Sequence, residues 1–166
     1  MYYKIQDFLQ DWKHQSETIQ KNFEYLTDNS LSRQVYPEGR SLGFIAWHIV
    51  LSVGEFGGKL GVVVDCPPED TEPPENAGEI ADAFKKATTT LYNFIQKNWD
   101  DQKLLEENNL YGNVWKNGFT LNALISHQTH HHGQMTVLMR QAGLKVHGAF
   151  GPSKEEWAAM GMPSPK

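Results

Sequence analysis

Four long stretches of the chain repeat apolar residues at three- and four-residue steps, with polar residues between them. This spacing is typical of amphipathic α-helices. It predicts helices over residues 2–27, 41–62, 77–99 and 120–143. Ser41 is the predicted N-cap of the second helix, and Gly143 is the predicted C-cap of the fourth. Four such helices in 166 residues predict an all-α fold, a four-helix bundle formed by a single domain over residues 1–166.

The second predicted helix is apolar on most sides, which favours a central place in the bundle. Its second half carries four glycines, Gly54, Gly57, Gly58 and Gly61. Each weakens a helix by about 1 kcal/mol relative to alanine. Either another part of the backbone approaches closely there, or the helix ends early. Residues 65–75 then contain four prolines among acidic residues, which predicts an extended connection that is either a crossover or a hairpin.

Two shorter features are predicted in the polar segments. Asn117-Gly118 lies between Val114-Trp115 and Phe119, a pattern that predicts a tight turn, such as the turn of a short hairpin. Near the end of the chain, a serine followed three residues later by a glutamate forms a capping-box signal. It predicts a brief helix over residues 153–160.

Composition and charge exclude several classes of protein. The hydrophobic fraction of 39% is enough for one core without disulfides. The single cysteine, Cys66, rules out an internal disulfide and a multi-cysteine zinc site, and it indicates a reducing compartment, most simply the cytoplasm. No signal peptide or apolar run of about 18 residues is found, so no membrane partner is expected. The net charge of −5, with scattered basic residues, argues against nucleic-acid binding. A small-molecule substrate remains the expected partner.

The fourth predicted helix contains a cluster of four histidines within residues 127–132. With about 100° per residue, His131 falls about 40° from His127, so both side chains share one face, one turn apart. His130 lies at the shoulder of that face, and His132 points away from it. Imidazole is the commonest protein ligand for transition metals, so the pair His127 and His131 can hold one ion from one side.

A third ligand is predicted on the second helix. His48 lies in an apolar stretch, and burying an unpaired imidazole costs about 1–3 kcal/mol, so it needs a partner. If helices two and four meet, His48 completes a three-histidine site with His127 and His131, and at least one coordination position stays open. Glu55 shares the face of His48, and Gln134 shares the face of His127. We expect these two to hold or deprotonate the bound ligand, or to orient the imidazoles.

Less specific interpretations of these residues also exist. A buried histidine taken alone is more often a core residue than a ligand. A histidine pair one turn apart is often a surface pair without a function. A metal-free bundle whose histidine cluster titrates near neutral pH is therefore an alternative. His14 and His147 are expected at the surface or in the tail, and Cys66 is expected to be a loop thiol. The combination of three histidines on two helices favours a metal site.

Two segments resemble the DinB-like (YfiT-like) superfamily of metal-dependent enzymes. They are residues 42–49 (LGFIAWHI) and residues 127–134 (HQTHHHGQ). The second is similar to the superfamily's fourth-helix pattern H-x-x-H-H-R-G-Q, with His132 in place of the usual arginine. The resemblance implies a four-helix bundle with a long crossover between helices two and three, and a homodimer. It also implies a divalent metal, nickel or zinc, held by His48, His127 and His131.

The resemblance leaves the reaction open. Some relatives use the metal to activate a low-molecular-weight thiol such as bacillithiol, and others are suspected hydrolases. The sequence therefore predicts a thiol-dependent transferase or a hydrolase, in which Glu55 would be the base for water. The alternative is a non-enzymatic, metal-stabilised dimeric module. Four cationic residues are available to bind the carboxylates of a thiol cofactor, and they are Arg33, Arg40, Lys116 and Arg140.

Overall fold

All four predicted long helices are present in the computed structural model, which describes residues 1–164. The helices are α1 (Ile5–Phe23), α2 (Leu42–Lys59), α3 (Ala77–Asn98), α4 (Asn117–Gln141) and the short α5 (Lys154–Ala159). One antiparallel hairpin lies between α3 and α4, formed by β1 (Glu107–Leu110) and β2 (Asn113–Lys116). The predicted all-α four-helix bundle is confirmed, with this small hairpin added to it.

Helix α1 runs antiparallel to α3 and parallel to α4. Trp12 Nε1 donates to the carbonyl of Thr88, and Phe23 packs edge-on against Phe84. The later residue of α1 therefore contacts the earlier residue of α3, as in an antiparallel pair. In the contacts between the α1 region and α4, residue numbers increase in both segments, as in a parallel pair. The amide of Tyr2 donates to the carbonyl of Gly118 at the start of the bundle, and Asn22 contacts His132 near its other end.

Helix α2 runs antiparallel to α4, because Phe56 packs against His127 while His48, two turns earlier, contacts both His127 and His131. Since α1 is parallel to α4 and antiparallel to α3, helices α2 and α3 point in the same direction. Two consecutive parallel helices cannot be joined by a tight hairpin. The connection between them must return along the length of the bundle.

Residues 60–76 form this connection and run back along one face of α2. Val64 lies against Gly57, Cys66 lies against Gly54, and the indole Nε1 of Trp47 donates to the carbonyl of Thr71 at 2.7 Å. A Cβ atom added to Gly57 would overlap with the Val64 side chain, and one added to Gly54 would lie 2.9 Å from Cys66 Sγ. The predicted crossover is confirmed, and its close approach is the reason for these two glycines.

Both explanations offered for the glycine-rich half of α2 apply. The crossover packs closely on Gly54 and Gly57, and the helix also ends three residues before the predicted boundary, at Lys59. Gly61 then takes a positive φ of 72°, a conformation that glycine adopts without steric cost.

The predicted turn at Asn117-Gly118 is wrong. The hairpin turns at Tyr111-Gly112, and Asn117 and Gly118 are the first residues of α4, which begins earlier than the predicted residue 120. The Asn117 side chain donates to the carbonyl of Lys103 at 2.9 Å. A Cβ atom at position 118 would overlap with the carbonyl of Tyr2, so Gly118 is needed where the N-terminal segment crosses.

Two predictions about helix ends are confirmed. Gly143 follows Ala142, the C-cap residue of α4. It has a φ of 76°, and its amide donates to the carbonyl of Arg140. The brief helix expected near residue 153 is α5, where the Glu156 carboxylate accepts a hydrogen bond from the amide of Ser153. Within residues 1–164, none of the helices combines the length and the apolar composition that crossing a lipid bilayer requires.

Candidate metal centre

Helices α2 and α4 bring three imidazoles together inside the bundle. The Nε2 atoms of His48 and His127 lie 3.0 Å apart, and the ring of His131 is centred 4.5 Å from each of the other two rings. One ring nitrogen from each residue can be chosen so that all three lie within 4.8 Å of one another. His131 is buried, and His48 and His127 are half-buried.

The surroundings keep all three rings neutral near pH 7. Burial, followed by the charges of the neighbouring imidazoles, lowers the pKa of His127 to about 4. Burial is also the main cause that lowers the pKa values of His48 and His131. A neutral imidazole offers an unprotonated nitrogen, which is the form that binds a metal ion.

Gln134 orients one of the three rings. Its Oε1 accepts a hydrogen bond from Nδ1 of His131 at 2.8 Å, which leaves Nε2 of His131 free to face the other two rings. Its Nε2 contacts Nε2 of His130 at 3.1 Å. Of the two roles expected for Gln134, this geometry supports orientation of an imidazole rather than proton transfer.

The spacing and chemistry of the cluster fit a divalent ion. Imidazole nitrogens lie about 2.0–2.1 Å from zinc, so two of them on one tetrahedral ion are about 3.3 Å apart. The 3.0 Å between His48 and His127 is close to that separation. Three neutral nitrogen donors without a thiolate or carboxylate suit nickel or zinc better than magnesium or calcium. The three histidines could therefore hold a divalent metal and leave a coordination position open.

Glu55 lies near this cluster, but its carboxylate is hydrogen-bonded to another residue. The hydroxyl of Tyr111, at the tip of the hairpin, donates a hydrogen bond to the Glu55 carboxylate. Burial and this carboxylate together raise the pKa of Tyr111. The charge of Glu55 still acts on His48, where it partly opposes the lowering of the pKa. The group of residues that could hold a metal together contains the three histidines and does not include Glu55.

Two residues near the cluster were missed from the sequence. The sequence pattern predicts the turn at Asn117-Gly118, so it gives no signal that Tyr111 forms the tip of the hairpin. Gln128 is fully buried beside His127, and its Nε2 donates to the carbonyl of Ile49 at 2.9 Å and to Ser52 Oγ at 2.8 Å. The only signal for Gln128 was an amide in a largely apolar stretch, which does not reveal its partners.

His132 faces away from the three-histidine cluster, toward α1. It is buried, and its Nε2 lies 2.8 Å from Asn22 Nδ2. Asn22 also holds the backbone of His147, since its side chain donates to the carbonyl and accepts from the amide of that residue. His147 is half-buried and pairs with Glu156 at 2.6 Å. Where the superfamily pattern has arginine, this chain therefore has an imidazole that helps to fix the C-terminal segment.

Together, the bundle and the cluster define a class of protein in which two antiparallel helices present imidazoles that could bind a divalent metal. The family model described as the DinB family matches residues 1–165. The chain therefore belongs to the DinB family.

Individual relatives agree with this assignment. The chain is 40% identical to the uncharacterized protein YrdA of Bacillus subtilis (strain 168) over 166 residues, which cover 100% of this chain and 99% of YrdA. The crystal structure of a DinB-like protein from Bacillus cereus ATCC 10987 superposes with a TM-score of 0.87 at 41% identity, covering 90% of this chain and 100% of that one. The DinB-like protein YjoA of Bacillus subtilis shares the fold, with a TM-score of 0.65 at 15% identity over 82% of this chain and 92% of its own.

Proposed function

We propose that this protein is a divalent-metal-dependent enzyme that activates a low-molecular-weight thiol for transfer to an electrophilic small molecule. The observation that carries the proposal is the meeting of three neutral imidazoles, from His48, His127 and His131, within 4.8 Å of one another. A divalent ion held there would lower the pKa of a thiol in its open position. Structural zinc sites close all four positions with protein ligands, so an open three-histidine set favours an enzyme over a structural module.

A thiol is favoured over water because the Glu55 carboxylate is hydrogen-bonded to Tyr111. Hydrolysis calls for a general base within reach of the attacking water. The one predicted base, Glu55, accepts a hydrogen bond from Tyr111 and lies outside the group of metal-holding residues. A thiol needs no separate base, because coordination to a metal deprotonates it. Hydrolysis is the second candidate, with Glu55 as the predicted base.

The metal can be tested on protein purified without a nickel column, since the histidine cluster could itself collect nickel. We expect elemental analysis to find about one nickel or zinc ion per chain, as one three-histidine site requires. His127→Ala should weaken binding by more than about 100-fold, because it removes a ligand and not only an outer contact. His14→Ala is the matched control, since His14 is exposed on α1 and lies outside the cluster. Equal metal content in wild type and His127→Ala would refute the site.

The reaction can be tested by turnover with thiol plus electrophile, compared with hydrolysis of esters and amides. We expect thiol-dependent turnover that requires the metal and is lost in His131→Ala. Hydrolysis without thiol would instead support the second candidate. Tight metal binding by a stable dimer, with no turnover in either assay, would support the non-enzymatic module.

A further inference from the structure

A cavity of about 330 Å³ lies between the segment that precedes α2 and the second half of α4. Gln134, which orients His131, forms part of its wall. The cavity therefore reaches the residue that orients one of the three imidazoles. Most of its remaining wall is apolar, formed by Val35, Tyr36, Ile45 and Leu138.

Arg40 is the charged residue in this cavity. Its guanidinium carbon lies 4.9 Å from the centroid of the Phe44 ring, and Phe44 in turn stacks on His48 with centroids 6.4 Å apart. This stack places the guanidinium one aromatic ring away from a metal-holding imidazole. After burial and the neighbouring imidazoles, the Arg40 charge is a further cause of the lowered pKa values of His48 and His131.

Arg40 has no carboxylate partner within the part of the chain that the structure describes. The ion pairs found among residues 1–164 are Lys13–Glu17, Lys103–Glu106, Arg140–Glu155 and His147–Glu156. The chain has a net charge of −5, so acidic side chains are plentiful, yet none is paired with this guanidinium. Arg40 is exposed, and its guanidinium, without a carboxylate partner and beside a mostly apolar cavity wall, is suited to bind an anion from solution.

We propose that Arg40 and this cavity form a subsite for a small organic carboxylate whose opposite end reaches the three-histidine cluster. The planar guanidinium matches a carboxylate with two parallel hydrogen bonds. A single cation balances one carboxylate charge, and the other lining residues are uncharged. The inference rests on the proposed function, because it assigns the orientation of the ligand that the metal would activate.

The test uses cobalt-substituted protein, in which a bound thiolate produces a near-ultraviolet charge-transfer band. 3-Mercaptopropionate and its methyl ester are titrated separately. Arg40→Gln should weaken binding of 3-mercaptopropionate about tenfold, the equivalent of about 1.4 kcal/mol, and should change binding of the ester less than about twofold. Comparing variants cancels the intrinsic difference between the two thiols. Arg140→Gln is the matched control and should leave both affinities unchanged, since Arg140 is paired with Glu155.

Each outcome has a distinct meaning. If Arg40→Gln weakens both thiols equally, or neither, the carboxylate subsite is refuted while the thiol site stands. If inorganic phosphate displaces 3-mercaptopropionate more strongly than acetate does, the subsite takes a phosphorylated ligand and the carboxylate proposal fails. If cobalt binds and no thiolate band forms in wild type, the proposed thiol chemistry fails and the subsite falls with it.

Discussion

At the scale of single residues, Gln128 fixes the position of α4 against α2. It follows His127 in sequence, and it bonds to the carbonyl of Ile49, which follows His48. Its second bond, to Ser52 Oγ, adds a contact one turn along α2. These bonds lie directly beside the two imidazoles, so Gln128 helps to hold the helix surfaces that carry His48 and His127 together.

Replacing this amide should therefore cost stability. Gln128→Met keeps the length of the side chain but removes both donated hydrogen bonds, and we expect the free energy of unfolding to fall by about 1–2 kcal/mol. Urea unfolding should show a lower midpoint with an unchanged slope. Gln141→Met, at the exposed end of α4, is the control and should change stability by less than about 0.5 kcal/mol. A Gln128→Met midpoint equal to wild type would show that the amide does not clamp the helices.

Residue by residue, the sequence is informative where a rigid element fixes the geometry. His127 and His131 lie one helical turn apart on one element, and His48 lies in an apolar stretch, so helical phase alone indicates that the three can meet. Tyr111 and Arg40 lie on a hairpin and a loop. Their distance from the cluster depends on how those segments pack, and helical periodicity carries no information about that packing.

At the scale of elements, the crossover and α2 depend on each other. The extended segment lies flat on the helix because Gly54 and Gly57 have no side chains to hold it away. In this packed segment, the Cys66 thiol contacts the carbonyl of Val50 at 3.4 Å. Burial raises the pKa of this thiol to about 11. The expected loop thiol is therefore a protonated packing group at neutral pH.

Two neighbouring glycines in α2 should respond in opposite directions to alanine. Gly57→Ala places a methyl group into Val64, so we expect it to destabilise the protein by about 1–3 kcal/mol. At Gly58 an added Cβ has no atom within 4 Å, so Gly58→Ala should stabilise the helix by up to about 1 kcal/mol. Denaturant unfolding of the two variants measures both effects. Similar changes in both would mean that the crossover does not pack on Gly57.

The hairpin holds Tyr111 in a backbone conformation that bulky residues rarely adopt. Its φ is 54° and that of Gly112 is 80°, as a two-residue type I′ turn requires. Tyr111→Phe and Tyr111→Asn both remove the hydrogen bond to Glu55, but asparagine accepts positive φ more readily. We therefore expect Tyr111→Asn to be more stable than Tyr111→Phe by about 1 kcal/mol in thermal or urea unfolding. A less stable asparagine variant would show that the aromatic ring contributes more than the backbone costs.

At the scale of the whole molecule, the directions of the helices decide where the site forms. Amphipathic periodicity located all four helices, but it does not say which neighbours are parallel. The direction follows from long-range contacts such as Trp12 with Thr88 and His48 with His127. The parallel pair α2 and α3 then requires the crossover, and the antiparallel pair α2 and α4 brings the three imidazoles together.

Burial of several histidines should make the metal-free protein sensitive to acid. The pKa values of His48, His127, His131 and His132 are all lowered, chiefly by burial. Unfolded chains therefore bind more protons below about pH 6.5, the ordinary pKa of histidine, and stability falls as the pH decreases from there. The urea midpoint of metal-free protein should drop steadily between about pH 6.5 and 5. Added zinc should steepen the drop, because protons then compete with the ion. A constant midpoint over this interval would contradict the burial of these rings.

The distance along the chain between the two contributing helices has a consequence for biosynthesis. His48 and His127 are 79 positions apart. While the ribosome is still translating, a nascent chain that ends before His131 has only part of the cluster, however well its first helices have formed. The cluster can become competent to capture an ion only after most of α4 has left the exit tunnel, so any metal binding must follow the synthesis of α4.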